Sequence, residues 1–376
     1  MKTILNRIKN SEFFRNTAIL SSGTTIAQAV SFLTAPVLTR IYGPADYGLL
    51  GIFSIFTSLV VALATFQYHN GIVVAENDDE SRALLQISIL ITILVSLISG
   101  LAVAVGGNLI VKVYASEPLK GWLWLTPVSV FFQGLNQVFS AWAVRKKAFK
   151  LLSFNRISTA LLAPAFSIVI GFLVMGVLGL FVGLVISQII PTIRMSYFFL
   201  KQRDGLLEFD REELLKVCGK YVNYPRFTLP AGFLNIISNQ MPAIILSHTA
   251  GVQAVGWFGL SSRMLGLPST IIASSIGDVF RQRATKDYYG TGTCQPVFMK
   301  VFKTLVALAL PAFLILAIIA PSLFEFFFGS QWREAGVITQ ILAVFYMAKF
   351  IVSPLSYMIF IANKQWISLL IDILLL

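Results

Sequence analysis

Hydrophobic positions along this chain come in long blocks rather than in short alternating runs. Stretches of about twenty apolar residues, the length that crosses a bilayer as a helix, recur near 17–39, 47–68, 83–105, 122–144, 154–175, 177–200, 227–247, 253–276, 301–321 and 337–362. Another begins near Gln365 and has reached only Leu376, too short to span, which reads as a helix cut by truncation in preference to an unusually short last helix. The pattern predicts ten spans and part of an eleventh.

Within the first block the polar residues are ordered. At about 100° per residue, Thr17, Ser21, Thr24, Thr25, Gln28 and Ser31 fall within an arc of about 120°, with Ile19, Ile26, Val30, Leu33 and Val37 on the other side. Hydroxyls and amides facing lipid would go unpaired. The stripe, Thr24 and Gln28 included, is therefore expected to face a protein interior or a wet cavity. After Arg40 the run IYGPADYG forms a tight turn through Gly43 and Pro44, so Pro36, Gly43 and Pro44 are candidates for a hinge or gate.

The longest polar stretch, Lys201 to Arg226, separates six blocks from the rest. Its Asp210-Arg-Glu-Glu213 resembles a helix-capping box, and Leu214, Leu215, Val217, Cys218 and Tyr221 follow at near-helical spacing. It reads as an amphipathic linker helix (201–226) joining an N-terminal lobe (1–200) to a C-terminal lobe (227–376). A weak internal repeat supports two related halves: Pro36 precedes Gly48-Leu-Leu-Gly51, and Pro242 precedes Gly256-Trp-Phe-Gly259. Six helices precede the linker, so the repeats run parallel, a frequent transporter design with a cleft between lobes. The expected fold class is all-α: a polytopic membrane protein of two pseudo-symmetric six-helix lobes around a central cavity, the second incomplete.

Composition agrees. Of 376 residues 56% are hydrophobic and only 12% charged, with mean hydropathy +0.79, where soluble domains carry about 25% charged residues. The net charge of +12 does not point to nucleic acid. With the N-terminus inside, only Arg40, Lys112, Lys120 and Arg333 of the 29 basic residues fall outside and Arg194, Arg263 and Lys349 fall within spans; the others gather on the cytoplasmic side, as the positive-inside rule requires. Trp122, Trp124 and Trp332 at outer boundaries, with Trp142 and Trp366 at inner ones, suggest an aromatic belt. Cys218 and Cys294 both fall on the cytoplasmic side, where no disulfide is expected. The segment Met1 to Arg15 is too long and charged for a signal-peptide start, and no convincing cleavage site follows it.

Candidate chemistry is sparse. His69 and His248 are the two histidines, far apart; no cysteine–histidine cluster has metal spacing, and no Gly-rich loop leads into Lys-Ser/Thr. The acidic turn Glu76, Asp78, Asp79 and Glu80 reads best as a solvated helix start whose acids favour the dipole. The informative residues are basic. Arg263 and Lys349 lie near the middle of their spans, where a charge costs about 2.5–3.5 kcal/mol on insertion scales and so lines water or finds a partner. Pairing of Arg263 with Asp278 is implausible, since fifteen residues separate them by about 22 Å along a helix. Arg194 has the reach to snorkel to the cytoplasm. Asn235, Asn239 and Gln240 add amides to the seventh span, where helix–helix bonding is the ordinary use. Arg145, Lys146 and Lys147 end the fourth span as a cytoplasmic basic vestibule or a headgroup contact.

The ordered runs PVLTRIYGPADYGLLGIFS, the NDDES turn, GLNQVFSAWAVRKKAF, NIISNQMPAIILS and SSRMLGLP resemble polysaccharide-biosynthesis flippases. These are the Wzx-type exporters of O-antigen and capsule repeat units, within the superfamily that includes multidrug and lipid II exporters. The resemblance covers almost the whole chain. It implies alternating access between two six-helix lobes and an undecaprenyl-pyrophosphate-linked oligosaccharide as cargo. Arg40, Arg145 and Arg263 stand where that family commonly has basic residues. The cationic cavity would meet the pyrophosphate, and the polyprenyl tail would stay in lipid. The family often has an Arg-Tyr-Glu triplet after the second helix; here Gln67-Tyr68-His69 replaces it, which puts a carboxylate proton relay there in doubt.

The expectation is therefore a non-enzymatic flippase of the bacterial inner membrane, N-terminus cytoplasmic, for surface-polysaccharide assembly. Its expected cavity residues are Arg263, Lys349, Arg40, Gln28, Thr24, Asn235 and Asn239, with Pro242 a further hinge. It needs no cofactor, and the coupling ion, H+ or Na+, stays open. Expected partners are the lipid-linked oligosaccharide, the phospholipid bilayer, a polysaccharide polymerase and a chain-length regulator, with no nucleic acid. A small-molecule exporter of the same superfamily would favour buried carboxylates, whereas the buried charges here are basic. A membrane polymerase or acyltransferase would need large outer loops or buried His/Asp pairs.

Overall fold

The computed structural model describes residues 12–114, 116–174, 176–201 and 210–361. The partial helix from Gln365, Trp366, the first residues of the chain, Met175 of the turn between the fifth and sixth spans, and 202–209 of the linker lie outside the described residues. Among those described there are helices and turns, and no strand.

Each expected span is mostly helical over its described residues. The helices run α1 Glu12–Ile41, α2 Pro44–Leu63, α3 His69–Val74, α4 Asp78–Val113, α5 Leu119–Trp122, α6 Thr126–Arg145, α7 Phe149–Leu173 and α8 Leu178–Lys201. The linker helix is α9 Arg211–Lys220, followed by α10 Leu229–Thr249, α11 Gly251–Pro268, α12 Ser274–Thr291, α13 Gln295–Phe328, α14 Arg333–Leu355 and α15 Tyr357–Ile361. Among the described residues, seven segments are long and apolar enough to cross a membrane, including α2, α4, α7, α8 and α13. Leu33 at 71% exposure and Ile318 at 75% belong to the outward faces that lipid must cover, because water would not tolerate them in such number.

Residues Met1–Val255 and Gly256–Leu376 form two compact units. In the first, α7 and α8 form a tight antiparallel pair. Gly183 makes this possible: a Cβ there would lie 2.3 Å from Ser167 Oγ and 2.4 Å from the Ala163 carbonyl oxygen, so only glycine lets the axes approach. Gly134 does the same for α6 against α4, where a Cβ would meet Thr92 at 2.6 Å. The core at one end collects Trp142, Leu84, Ile72, Met195 and Phe199. In the second unit α13 and α14 turn back on each other at Gly329, whose φ of 103° is the left-handed region open to glycine. Leu265, Phe280, Phe313 and Phe350 share its core.

Local chemistry sets the helix ends. Pro44 opens α2, and the Gly43 N–H donates to the Asp46 carboxylate at 3.0 Å, a cap that the IYGPADYG turn anticipates. Asn77 Oδ1 accepts from the Glu80 N–H at 2.7 Å to start α4, and Asp210 Oδ1 accepts from Glu212 and Glu213 to start α9. Pro36 and Pro242 both stand inside their helices, where each removes a backbone donor.

Three expectations need correction. The second helix does not run through to His69: it stops at Leu63 and restarts as α3, with Phe66 and Gln67 at φ 44° and 62°. Two consecutive left-handed residues other than glycine are costly, about 1–2 kcal/mol each; the buried Tyr68 anchors the break by donating to the Cys218 carbonyl at 3.2 Å. The eighth span does not end near 276, because helical structure continues through a π-helical turn at 269–273 into α12 and reaches Thr291. Trp142 and Trp332 are not belt residues. Both are fully buried, since their rings fill helix junctions instead of facing headgroups.

Candidate functional site

Within the first unit, α6, α7 and α8 line a partly open cavity of about 310 Å³. Helical spacing builds its walls. Gln133, Asn136 and Gln137 stand at i, i+3 and i+4 on α6 beside Phe132, while Ser187, Gln188 and Thr192 line it from α8 with Leu184, and Thr159 closes it from α7. The lining is amide and hydroxyl throughout its polar part, and carries no charged side chain.

Part of this lining is tied together. Asn136 Nδ2 donates to Thr192 Oγ1 at 3.3 Å, and the Thr192 hydroxyl donates to the Phe132 carbonyl at 3.3 Å. Ser140 donates to Asn136 Oδ1 at 3.4 Å. The Ser187 and Thr159 hydroxyls donate to the carbonyls of Leu184 and Asn155 in their own helices, whereas Gln188 Oε1 is buried with no hydrogen-bond partner. Buried amides are nearly always satisfied, so unspent hydrogen-bonding capacity in a cavity marks a place for water or a ligand.

Arg194 lies one and a half helical turns beyond Gln188 on α8. Its Nη1 donates to Ser158 Oγ at 3.0 Å and its guanidinium lies 4.1 Å from the centre of the Phe154 ring, while Nε and Nη2 are buried without partners. Arg156 on α7 reaches the other way, donating to Thr24 Oγ1 of α1 at 2.6 Å. Thr24 is thus bonded to a cation rather than open. Gln28 and Ser31 are half-buried, Ser21 and Thr25 exposed, and the side chain of Thr17 lies outside the described residues.

At the end of α6 the basic run is engaged. Arg145 Nη1 donates to the carbonyls of Ala75 at 2.7 Å and Ile72 at 3.3 Å, and its Nη2 and Nε donate to Asp78 Oδ1 at 3.0 and 3.2 Å. Lys146 reaches Asp78 Oδ2 at 3.5 Å and stands over the Trp142 ring. Lys147 is exposed, with no ion pair among the described residues. The other acids of the turn hold the linker: Lys220 at the end of α9 bridges Glu80 at 2.7 Å and Glu76 at 2.9 Å, and Tyr221 donates to Glu80 at 3.0 Å. These two carboxylates hold the Lys220 ammonium well above its usual range. The acidic turn is therefore a clasp as well as a helix start. It binds α4, α6 and α9 at one end of the first unit.

The remaining expected residues are placed as follows. Arg40 is exposed in the last turn of α1. Asn235 and Asn239 are exposed on α10, where Asn239 Nδ2 donates back to the Asn235 carbonyl at 2.8 Å and side chain at 3.1 Å. In the second unit, Arg263 is exposed on α11, opposite the face on which Ser261 donates to the Ala335 carbonyl at 2.6 Å. Lys349 is exposed on α14 with its Nζ 5.7 Å from the Tyr346 ring centre. The cavity-lining Gln133, Asn136, Gln137, Gln188 and Thr192 were not among the expected residues. Their signal, amides at i, i+3 and i+4 in the fourth span, reads equally well as interhelical bonding.

Long apolar helices in this number, among the described residues, define a multi-pass membrane protein. Solved structures agree on the fold: a MATE structure in complex with MaL6 matches at 15% identity and TM-score 0.55, covering 95% of this chain and 85% of that one. The MATE transporter VcmN of Vibrio cholerae, as a point mutant, matches at 14% identity and TM-score 0.55, covering 96% and 85%. The sequence profile of the polysaccharide biosynthesis protein family matches residues 37–337, and the chain belongs to that family. Similar proteins include the amylovoran biosynthesis protein AmsL of Erwinia amylovora, 20% identical across 69% of this chain and 66% of the relative. An uncharacterised membrane protein of the cps region of Klebsiella pneumoniae is 22% identical across 98% and 74%. The match to AmsL thus spans just under two thirds of that protein's length. The family match ties the chain to polysaccharide biosynthesis, and the solved structures show its fold.

Proposed function

We propose that this protein flips an undecaprenyl-pyrophosphate-linked oligosaccharide repeat unit from the cytoplasmic to the outer leaflet of the bacterial inner membrane, for O-antigen, capsule or a related surface polysaccharide. The observation that carries the reading is membership of a polysaccharide biosynthesis family over residues 37–337 on an exporter fold. The two similar proteins bear names tied to amylovoran biosynthesis and a cps region, which suits cargo of this kind.

In this reading the two lobes (1–200 and 227–376) alternate access about the linker at 201–226, and the turn at Pro36, Gly43 and Pro44, with Pro242, acts as hinge. Arg263 and Lys349 meet the pyrophosphate, because a basic side chain in the middle of a span is retained only where it lines water or an anion. Arg40 and Lys147 guard the approaches. The N-terminus is cytoplasmic by the distribution of Lys and Arg. An ion gradient, H+ or Na+, drives the cycle without a bound cofactor, and a polysaccharide polymerase and chain-length regulator receive the product.

A cation-binding multidrug exporter is the second reading, favoured by the MATE fold. It is the weaker one, because the cavity lining of α6, α7 and α8 carries no carboxylate to attract a cation. Reconstitution decides between them. Liposomes holding the full chain and a lipid-linked oligosaccharide on the inner leaflet should expose the glycan to an external lectin or oxidant. Exposure no faster than in protein-free liposomes, with transport of a lipophilic cation instead, would establish the second reading.

A further inference from the structure

We propose that the cavity between α6, α7 and α8 seats a single pyranose ring of the cargo and reads it through its neutral hydroxyls. The inference rests on the flippase reading above and adds to it a site and a ligand class.

The lining determines what fits. Ammonium ions and metal cations call for carboxylates, and phosphates or acidic sugars call for Arg or Lys. Neither lines this space. An amide carries donors on one atom and an acceptor on the next. That is the complement of a sugar hydroxyl, which both donates and accepts. Asn136 and Thr192 are locked to each other and to the Phe132 carbonyl, so they form a fixed wall. Gln133 and Gln137, stacked one helical turn apart on α6, and Gln188 across from them on α8 are left free to take a ligand, and the Gln188 oxygen is already desolvated without a partner. Phe132 and Leu184 supply apolar surface for the C–H face of the ring.

Size limits the occupant. At about 310 Å³ the cavity is at the lower end of small-molecule sites, which run about 300–1,000 Å³. It suits one sugar ring and not a whole repeat unit. Two of the walls are backed by close packing: Gly183 presses α8 onto α7 and Gly134 presses α6 onto α4. Recognition would then select one ring of the oligosaccharide while its diphosphate is held elsewhere.

Saturation-transfer NMR on the full chain in nanodiscs tests this with a panel of methyl hexopyranosides as probes and tetraphenylphosphonium as the cationic comparison. Wild-type protein should transfer saturation to the ring protons of at least one glycoside. In Gln133→Leu/Gln188→Leu the signal should fall at least tenfold. The single variants Gln137→Met and Gln188→Met, which keep side-chain length, cover the case in which the double variant fails to fold. Equal signal in wild type and a folded variant, or no glycoside signal in wild type, overturns the sugar seat. Exposure of lipid-linked oligosaccharide in the liposome assay is the separate readout. If wild type and the folded variants expose it equally, the seat is wrong and the flippase reading stands; if wild type does not expose it, the flippase reading fails.

Discussion

Arg145 at the end of α6 and Asp78 at the start of α4 are joined by two hydrogen bonds of 3.0 and 3.2 Å across 67 residues of sequence. The same guanidinium holds the Ile72 and Ala75 carbonyls, so one side chain closes the turn between α3 and α4 and fastens it to α6. Lys220 and Tyr221 extend the clasp to the linker helix through Glu80.

Arg145→Ala is expected to lower stability by about 1–3 kcal/mol, because the half-buried carbonyls of Ile72 and Ala75 lose their donor. Arg145→Lys should recover only part of this, since an ammonium cannot fork onto a carboxylate and two carbonyls together. Melting temperatures of the purified proteins in one detergent check both. A lysine variant as stable as wild type would show that charge alone suffices.

Gly183→Ala should be among the most damaging small substitutions. The added Cβ has no room against Ser167 and Ala163, and overpacking of this kind costs about 1–3 kcal/mol. Membrane-inserted protein at the same expression level, measured by fluorescence-detected size exclusion, should drop well below wild type.

His69 shares a hydrogen bond of 2.7 Å with Thr65, and burial pushes its imidazole down to about 4. The unfolded chain titrates near 6.5, so between these values the unfolded state binds more protons than the folded one. The neutral ring thus contributes stability that is fully present above pH 6.5 and is lost as pH falls toward 4. His69→Gln should melt with a shallower pH dependence than wild type across that window; parallel curves would remove His69 as the cause.

Arg263→Ala is expected to abolish polysaccharide export at matched membrane levels, and Arg263→Lys to retain part of it, if the exposed guanidinium on α11 meets the pyrophosphate. Export is read as surface polysaccharide in a strain lacking its own flippase. Full export by the alanine variant would remove Arg263 from the site.

For orientation, a cysteine at the exposed Lys147 should react only with permeant maleimide in whole cells, and one at the exposed Arg333 with impermeant maleimide as well. The reverse pattern would invert the topology and place the clasp outside.

Much of the fold was legible without coordinates, and the reason is the bilayer. A helix is the only single segment that satisfies its own backbone in lipid, so length and apolarity alone located the long helices, seven of which are apolar enough among the described residues to cross a membrane, and the turn at Gly43-Pro44 and the caps at Asn77 and Asp210 follow from local hydrogen bonding within a few residues. The site was less legible. Gln133, Asn136 and Gln137 could be assigned to one face of one helix, but whether that face meets another helix or a space depends on Gln188 and Thr159, which arrive from α8 and α7. The acidic turn likewise looked self-sufficient, since its partners Arg145 and Lys220 lie far along the chain.

What the sequence by itself determined was the run of long apolar helices, a consequence of moving single segments between water and lipid. Only tertiary structure decided that α2 stops short of Phe66 and Gln67, that Trp142 and Trp332 are buried, that Arg145 is consumed in a clasp, and that amides from α6 and α8 and a hydroxyl from α7 line a common space. Those outcomes are set by how helices pack, and packing is a property of surfaces brought together from distant parts of the chain.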